Sequence, residues 1–152
     1  MSLKAAVALL AALASGALAA PVAAQLPKPM KESEIKAAGG RQIPVADLRP
    51  MLVGNTVYVI LLRNVGSTAA GTVVPVHNRD HRTRIQWLPD RKKLESNWWF
   101  EADNTCVEQR NMNLGHQCYS AWNLAGTQYF CLLPGGDCFT IFRVVPGNPE
   151  AL

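Results

Sequence analysis

The feature that most restricts the fold is a series of short apolar runs that begins near Asn55 and continues almost to the end of the chain. Gly, Pro, Asn or Asp stands between the runs, and these residues relieve strain in tight turns. Strands about 8–12 residues apart with turns this short are typical of antiparallel meanders, since parallel strands need long crossovers. The predicted strands cover residues 56–63, 69–77, 82–88, 94–101, 105–109, 117–123, 127–133 and 138–145.

These runs predict a mainly β fold, a single antiparallel up-and-down barrel of about eight strands. Closing the sheet removes both exposed edges, and the short connections favour a barrel over a β-sandwich, which usually contains longer crossings. The β-sandwich is the alternative fold. Such a barrel is either filled by its own side chains or holds one small ligand. Pro75 interrupts the second run and predicts a bulge there, because proline cannot donate a ladder hydrogen bond.

The first 24 residues have the pattern of a secretory signal peptide. Lys4 provides a positive start, the apolar run at 5–18 is too short to cross a bilayer, and small residues follow. We expect cleavage before Gln25, with Ala19 as the alternative last signal residue, and an uncleaved anchor is the competing interpretation. The product would be periplasmic or secreted, with no stable membrane span.

The rest of the chain is predicted to form a leader over 25–44 and a barrel domain over 45–152. The leader contains a short helix at 33–38. A second helix is predicted over 45–53 and would end at Gly54, with Pro50 as a candidate for its first turn. The N-terminal helical segment could close one end of the barrel.

Four cysteines lie in the last third of the chain. An even number in an exported domain indicates two disulfides, for which three connectivities exist. A hairpin centred on 134–135 places Cys131 opposite Cys138, while Cys106 and Cys118 fall on neighbouring strands. We therefore predict the pairs Cys106–Cys118 and Cys131–Cys138. A zinc site formed by cysteines with His116 lacks the paired short spacings of zinc modules, and no C-x-x-C spacing indicates a redox role.

No catalytic motif stands out in the sequence, which contains neither G-x-S-x-G nor H-E-x-x-H, and its acidic residues are scattered. We predict a protein that is not an enzyme and has no cofactor. The weak candidates for metal ligands are His77 and His81, and the alternative is that both are turn residues. The densest basic segment also contains Asp80 and Asp90, so the sequence does not predict a nucleic-acid partner.

Aromatic side chains are the candidates for a ligand site. If these side chains share the barrel interior, they would line an apolar pocket. The alternative is that the aromatic side chains on one face of the strands fill the barrel and those on the other face pack beneath the helices. The six candidates are Trp87, Trp98, Phe100, Tyr119, Trp122 and Tyr129. The first predicted strand is apolar on both faces, so its outer face needs a cover. The N-terminal helix, a second copy of the chain in a homodimer, or a partner could provide it.

Several short motifs follow one another in a specific order. G-N-T at 54–56 opens the first strand, a Trp-bearing strand precedes Cys106, C-Y at 118–119 begins a later strand, and G-N-P stands at 147–149. In this order, over residues 45–152, the chain resembles a family of small exported bacterial proteins of unknown function. The resemblance implies a periplasmic, lipocalin-like β-barrel and supports the Cys106–Cys118 pair. It supplies no catalytic residues.

The sequence therefore predicts a non-enzymatic β-barrel that binds a small apolar ligand or a cell-envelope component. The alternative is a protein-binding module, such as an inhibitor of an envelope hydrolase. The first function requires a cavity lined by the aromatic candidates, and the second requires an exposed apolar patch.

Overall fold

The computed structural model of the protein describes residues 26–80, 83–87, 93–108 and 115–152, so the predicted signal peptide lies outside the described residues. The elements in chain order are α1 (Glu32–Ala37), β1 (Arg41–Gln42), α2 (Val45–Leu52), β2 (Asn55–Ile60), β3 (Val73–Asn78), β4 (Thr83–Trp87), β5 (Lys93–Glu101), β6 (Asn104–Glu108), β7 (His116–Leu124), β8 (Thr127–Leu132) and β9 (Cys138–Pro146). The protein is mainly β, as predicted. Neither helix is long and apolar enough to cross a bilayer.

The strands form one antiparallel sheet whose ends meet. From β2 to β9 each strand pairs with the next one along the chain, and β9 also pairs with β2. These pairings form the ring expected of an up-and-down barrel, so the predicted fold class is confirmed. The additional strand β1 pairs with β7 through Arg41 opposite Asn123 and Gln42 opposite Trp122. It extends the sheet on the side of β7 where the pairing with β6 has ended at Ser120.

The first two predicted strands are shorter than expected. β2 ends at Ile60, and β3 begins only at Val73. The chain between them forms a longer loop, in which the Leu61 amide donates to the Thr72 carbonyl and the Gly71 amide donates to the Leu61 carbonyl. Apolar residues continue past Ile60 because residues of this loop, such as Leu62, are also buried in a core. The apolar pattern therefore predicted a longer strand than the one that forms.

The bulge predicted from Pro75 lies elsewhere. Pro75 pairs with Tyr58 of β2, while the pairing of β3 with β4 begins one residue later, at Val76. Proline is therefore accommodated beyond the end of that ladder. The register shift occurs in β9 instead, where Tyr58 pairs with Arg143 and Val59 with Ile141, so that Phe142 is the extra residue.

Both predicted helices are present, but Pro50 does not begin the second one. The helix α2 starts five residues earlier, at Val45, and Pro50 lies inside it. Its last turn is capped from outside, because the Asn55 side-chain amide donates to the carbonyls of Pro50 at 3.0 Å and Met51 at 3.1 Å. Gly54 then turns the chain into β2 with a φ of +73°, a conformation that glycine adopts without strain.

The barrel interior and α2 form one hydrophobic core. Leu48 and Leu52 of α2 pack on inward-facing residues of the strands, so α2 closes one end of the barrel. The buried strand residues of this core are Val57, Val59, Val76, Trp98, Val107, Ala121 and Phe130. They come from alternate positions of their strands, as expected for the inner face of a closed sheet.

A second core lies outside the barrel, beneath α1. Ile35 of α1 is completely buried against the outer face of the sheet. The other buried members of this outer core are Ile60, Leu62, Trp122, Tyr129, Cys131 and Cys138. The outer face of the first strand has two covers. Ile60 belongs to the outer core beneath α1, whereas Tyr58 donates a hydrogen bond to Glu150 and lies against the guanidinium of Arg143. The N-terminal helix thus provides part of the cover that the sequence predicted.

Candidate functional site

The aromatic candidates lie in two separate places. Trp98, Phe100 and Tyr119 belong to the inner core, where the rings of Trp98 and Phe100 meet edge to face at 5.1 Å. Trp122 and Tyr129 belong to the outer core beneath α1. Trp87 is in β4. The five candidates whose side chains the structure describes do not line one pocket, because strand alternation sends them to opposite faces of the sheet.

The barrel interior contains only a small cavity. About 30 Å³ is open to the centre of a water molecule, which is room for about two waters. The lining residues are Leu52, Val57, Val59, Val76, Asn78, Arg84, Thr105, Tyr119, Phe130, Phe139 and Ile141. Sites for small organic ligands are roughly 300–1,000 Å³. The described interior is therefore filled mainly by its own side chains.

The interior cavity has a polar side. Burial lowers the pKa of the Arg84 guanidinium and raises the pKa of the Tyr119 phenol, because both charged forms are poorly solvated there. Attraction between the two charged forms acts against both shifts. Among the described residues, no group bonds the buried hydroxyl of Thr105, which lines the same cavity. This polar side suits ordered water better than an apolar ligand.

His77, one of the two metal candidates, is buried on the outer face of the barrel. Its Nδ1 lies 3.2 Å from the hydroxyl of Thr56, and that hydroxyl donates to the Gly147 carbonyl at 2.8 Å. Because a hydroxyl has a single proton to donate, Nδ1 of His77 carries a hydrogen and donates to Thr56. The Thr56 hydroxyl thus links His77 to the C-terminal segment. His81 lies outside the described residues.

The disulfide Cys131–Cys138 is present as predicted. The two residues stand directly opposite each other on β8 and β9, with their Cα atoms 4.0 Å apart. Both are buried beneath α1, next to Ile35. This disulfide is therefore covered.

The disulfide Cys106–Cys118 is also present as predicted, on the outer face of β6 and β7. Cys106 is buried, while Cys118 is partly exposed. The Nε2 atom of His116 lies 3.1 Å from the Cys118 sulfur, and a Glu101 carboxylate oxygen lies 3.8 Å from the Cys106 sulfur. The ring of Trp99 packs against His116, with 5.0 Å between centroids. A histidine and a carboxylate therefore flank this second disulfide.

A larger concave surface than the interior cavity lies outside the barrel, next to the bulge in β9. We call it the outer groove. Its lining residues are Leu26, Pro27, Ile60, Gly71, Val73, Gly126, Thr127, Gln128, Thr140, Ile141, Phe142, Arg143 and Val144. It encloses about 600 Å³ by the same measure as the interior cavity. The sequence analysis did not select Phe142, because only the register between β2 and β9 shows that it is the extra residue of a bulge.

The outer groove exposes an apolar surface. Leu26, Val73 and Phe142 are 49%, 43% and 61% exposed, and each of them lines the groove. Thr140 also belongs to the lining, and its hydroxyl is buried without a hydrogen-bond partner among the described residues. Among the described lining residues Arg143 alone is charged, and its guanidinium lies 4.1 Å from the centre of the Tyr58 ring.

Comparison with known protein families, curated proteins and solved structures gives no match to this chain. The resemblance to a family of small exported bacterial proteins therefore stays a prediction from the sequence. Two disulfides are compatible with a compartment outside the cytoplasm.

Proposed function

We propose that the protein is a non-enzymatic binding protein of the periplasm or the extracellular space, and that it binds an apolar ligand in the outer groove. The observation that carries this proposal is the size of the groove. Its roughly 600 Å³ falls within the range of about 300–1,000 Å³ for small-molecule sites, whereas the cavity lined by the described residues of the barrel interior has room for about two waters.

The lining of the groove defines the class of ligand. Exposed apolar side chains such as Phe142 and Val73 favour a hydrocarbon body, because covering them removes apolar surface from water. Arg143 adds a positive charge, and none of the described lining residues is acidic. An amphipathic anion with an acyl chain, such as a fatty acid, fits these features best.

The experiment is displacement of a fluorescent fatty-acid analogue by unlabelled laurate. We expect Phe142→Ser to weaken binding about tenfold or more, since burying a phenyl side chain contributes roughly 1.5–3 kcal/mol. Val73→Ser should weaken binding less, because valine contributes less apolar area. Val65→Ser is the matched control, since Val65 is 59% exposed but does not line the groove.

The two classes of function give different results in this assay. A wild-type protein that binds no analogue, or three variants that bind it equally well, would contradict the groove as a ligand site. Purification of the protein in a stoichiometric complex with a folded partner, seen by native mass spectrometry, would favour the protein-binding alternative. The dodecyl ammonium ion tests the charge preference, because Arg143 predicts weaker displacement by a cation than by laurate.

A further inference from the structure

The surroundings of the Cys106–Cys118 disulfide carry an inference that is independent of the outer groove. Four potential metal-ligand atoms meet there, from Glu101, Cys106, His116 and Cys118, and all lie within 4.8 Å of one another. In the oxidised protein the two sulfurs are bonded to each other. A sulfur must be a thiolate to serve as a zinc ligand, so this cluster is not a zinc site in the oxidised state.

We propose that reduction of the Cys106–Cys118 disulfide converts this cluster into a zinc site with two thiolates, one imidazole and one carboxylate. All four are ligand types that zinc uses in proteins, and four is the usual number in a tetrahedral site. Zinc bonds of about 2.0–2.3 Å place neighbouring ligand atoms roughly 3.3–3.8 Å apart in a tetrahedron.

The distances in the oxidised protein are already close to this requirement. Nε2 of His116 is 3.1 Å from the Cys118 sulfur and 4.0 Å from a Glu101 carboxylate oxygen. That oxygen is 3.8 Å from the Cys106 sulfur. Once the bond between the sulfurs is broken, small side-chain rotations bring all four ligands around one ion.

The strands that carry the ligands do not depend on the disulfide for their pairing. The ladder between β6 and β7 contains five opposed residue pairs, from Asn104 with Ser120 to Glu108 with His116. Glu101 is fixed on the other side by the pairing of β5 with β6. The His116 and Glu101 side chains are 52% and 62% exposed, so a metal ion from solvent can reach them.

The reaction requires a dithiol reductant, either a small molecule or a dithiol oxidoreductase. One thiolate of the reductant attacks the partly exposed sulfur of Cys118, the disulfide bond breaks, and its electron pair leaves on Cys106. The second thiol of the reductant then closes its own disulfide and releases Cys118. Two electrons pass to the protein, and the two thiols lose their protons when Zn²⁺ binds.

The experiment measures metal binding by the full chain before and after reduction by dithiothreitol. Zn²⁺ affinity is obtained by competition with a chromophoric chelator, and Co²⁺ reports thiolate coordination through its charge-transfer absorption. We expect one equivalent of metal to bind to the reduced protein and none to bind with comparable affinity to the oxidised protein. Alkylation followed by mass spectrometry counts the free thiols in each sample.

Four variants separate the ligands from their surroundings. The double variant Cys106→Ser/Cys118→Ser, which retains Cys131–Cys138, should bind no metal. His116→Ala and Glu101→Gln should each weaken binding by about tenfold or more, because even outer-shell partners of metal sites are worth 10–100-fold. Glu95→Gln is the matched control, since Glu95 is an exposed carboxylate of the same strand outside the cluster.

Three results would overturn the proposal. The first is a reduced wild-type protein that binds no zinc. The second is equal affinity in His116→Ala, Glu101→Gln and Glu95→Gln, which would mean that the thiols alone bind the metal. The third is loss of the native circular dichroism spectrum on reduction in the presence of Zn²⁺, because the site requires the folded β5–β7 sheet.

Discussion

The two disulfides join the same kind of position but have different surroundings. Each links residues directly opposite on neighbouring antiparallel strands, with 4.0 Å between Cα atoms. Cys131–Cys138 is buried beneath Ile35 of α1, whereas Cys106–Cys118 lies beside exposed Glu101 and His116. Strand pairing thus explains why both bonds form, while the cover over the sheet determines which of them solvent and metal ions can approach.

The largest expected change in stability comes from weakening the packing of α1 over Cys131–Cys138. Ile35→Ala removes the fully buried side chain that α1 places over Cys131–Cys138, and we expect the free energy of unfolding to fall by about 2–5 kcal/mol. Urea denaturation measures this loss. In the wild type, dithiothreitol should reduce Cys106–Cys118 faster than Cys131–Cys138. In Ile35→Ala the two reduction rates should be closer together. Thiol alkylation followed by mass spectrometry measures both rates. Reduction of Cys131–Cys138 first in the wild type would contradict the comparison.

A smaller effect is expected from the polar contacts that hold α1 in place. The Trp122 indole donates to the Ser120 hydroxyl at 2.8 Å, and that hydroxyl donates to the buried carboxylate of Glu32 at 3.2 Å. Ser120→Ala leaves both groups without this partner, so we expect a loss of about 1–3 kcal/mol in urea denaturation. Ser67→Ala, in an exposed loop, is the control and should change stability little. Equal stability of the two variants would show that this network does not hold the helix.

The smallest effect is a pH dependence of the covered side. Burial raises the pKa of Tyr129 above its ordinary value of 10.0, since the phenolate would be poorly solvated beneath α1. A pKa that is higher in the folded state stabilises the fold below the unfolded pKa, and this contribution disappears as the pH rises through the folded value. The free energy of unfolding should therefore begin to fall as the pH approaches the unfolded pKa of about 10, and should continue to fall as the pH rises through the higher folded pKa. Tyr129→Phe should show a shallower fall, while an identical pH profile in the variant would assign the effect to other groups.

The barrel interior and the outer groove show which features the alternation of residues along a strand can predict and which it cannot. Period-two alternation puts Trp98 and Phe100 on one face of β5, because a strand has only two faces, and both residues belong to the inner core. It could not predict that Trp98 and Phe100 would meet each other edge to face and leave no room for a ligand. Whether a barrel is filled depends on side chains from every strand at once, which no single run specifies.

The short strand β1 and the exposed Phe142 illustrate the same limit. Arg41 and Gln42 have no strand pattern of their own and become a strand because β7 presents an unpaired stretch beyond the end of β6. Phe142 faces solvent because the register of the β2–β9 pairing shifts by one residue between Tyr58 and Val59, which leaves Phe142 without an opposite residue on β2. Register between distant segments results from packing of the whole sheet, so the sequence analysis missed both features and, with Phe142, the groove.

The sequence by itself determined the mainly β fold, the number and order of the barrel strands and both disulfide pairs. Turn residues and alternation act between neighbours in the chain, and each disulfide joins adjacent strands, so all of these follow from local chemistry. Only the tertiary structure decided which disulfide α1 covers, that the barrel is filled, and that Glu101 and His116 meet at Cys106–Cys118. These features depend on contacts between segments distant in the chain, which form only when the sheet closes.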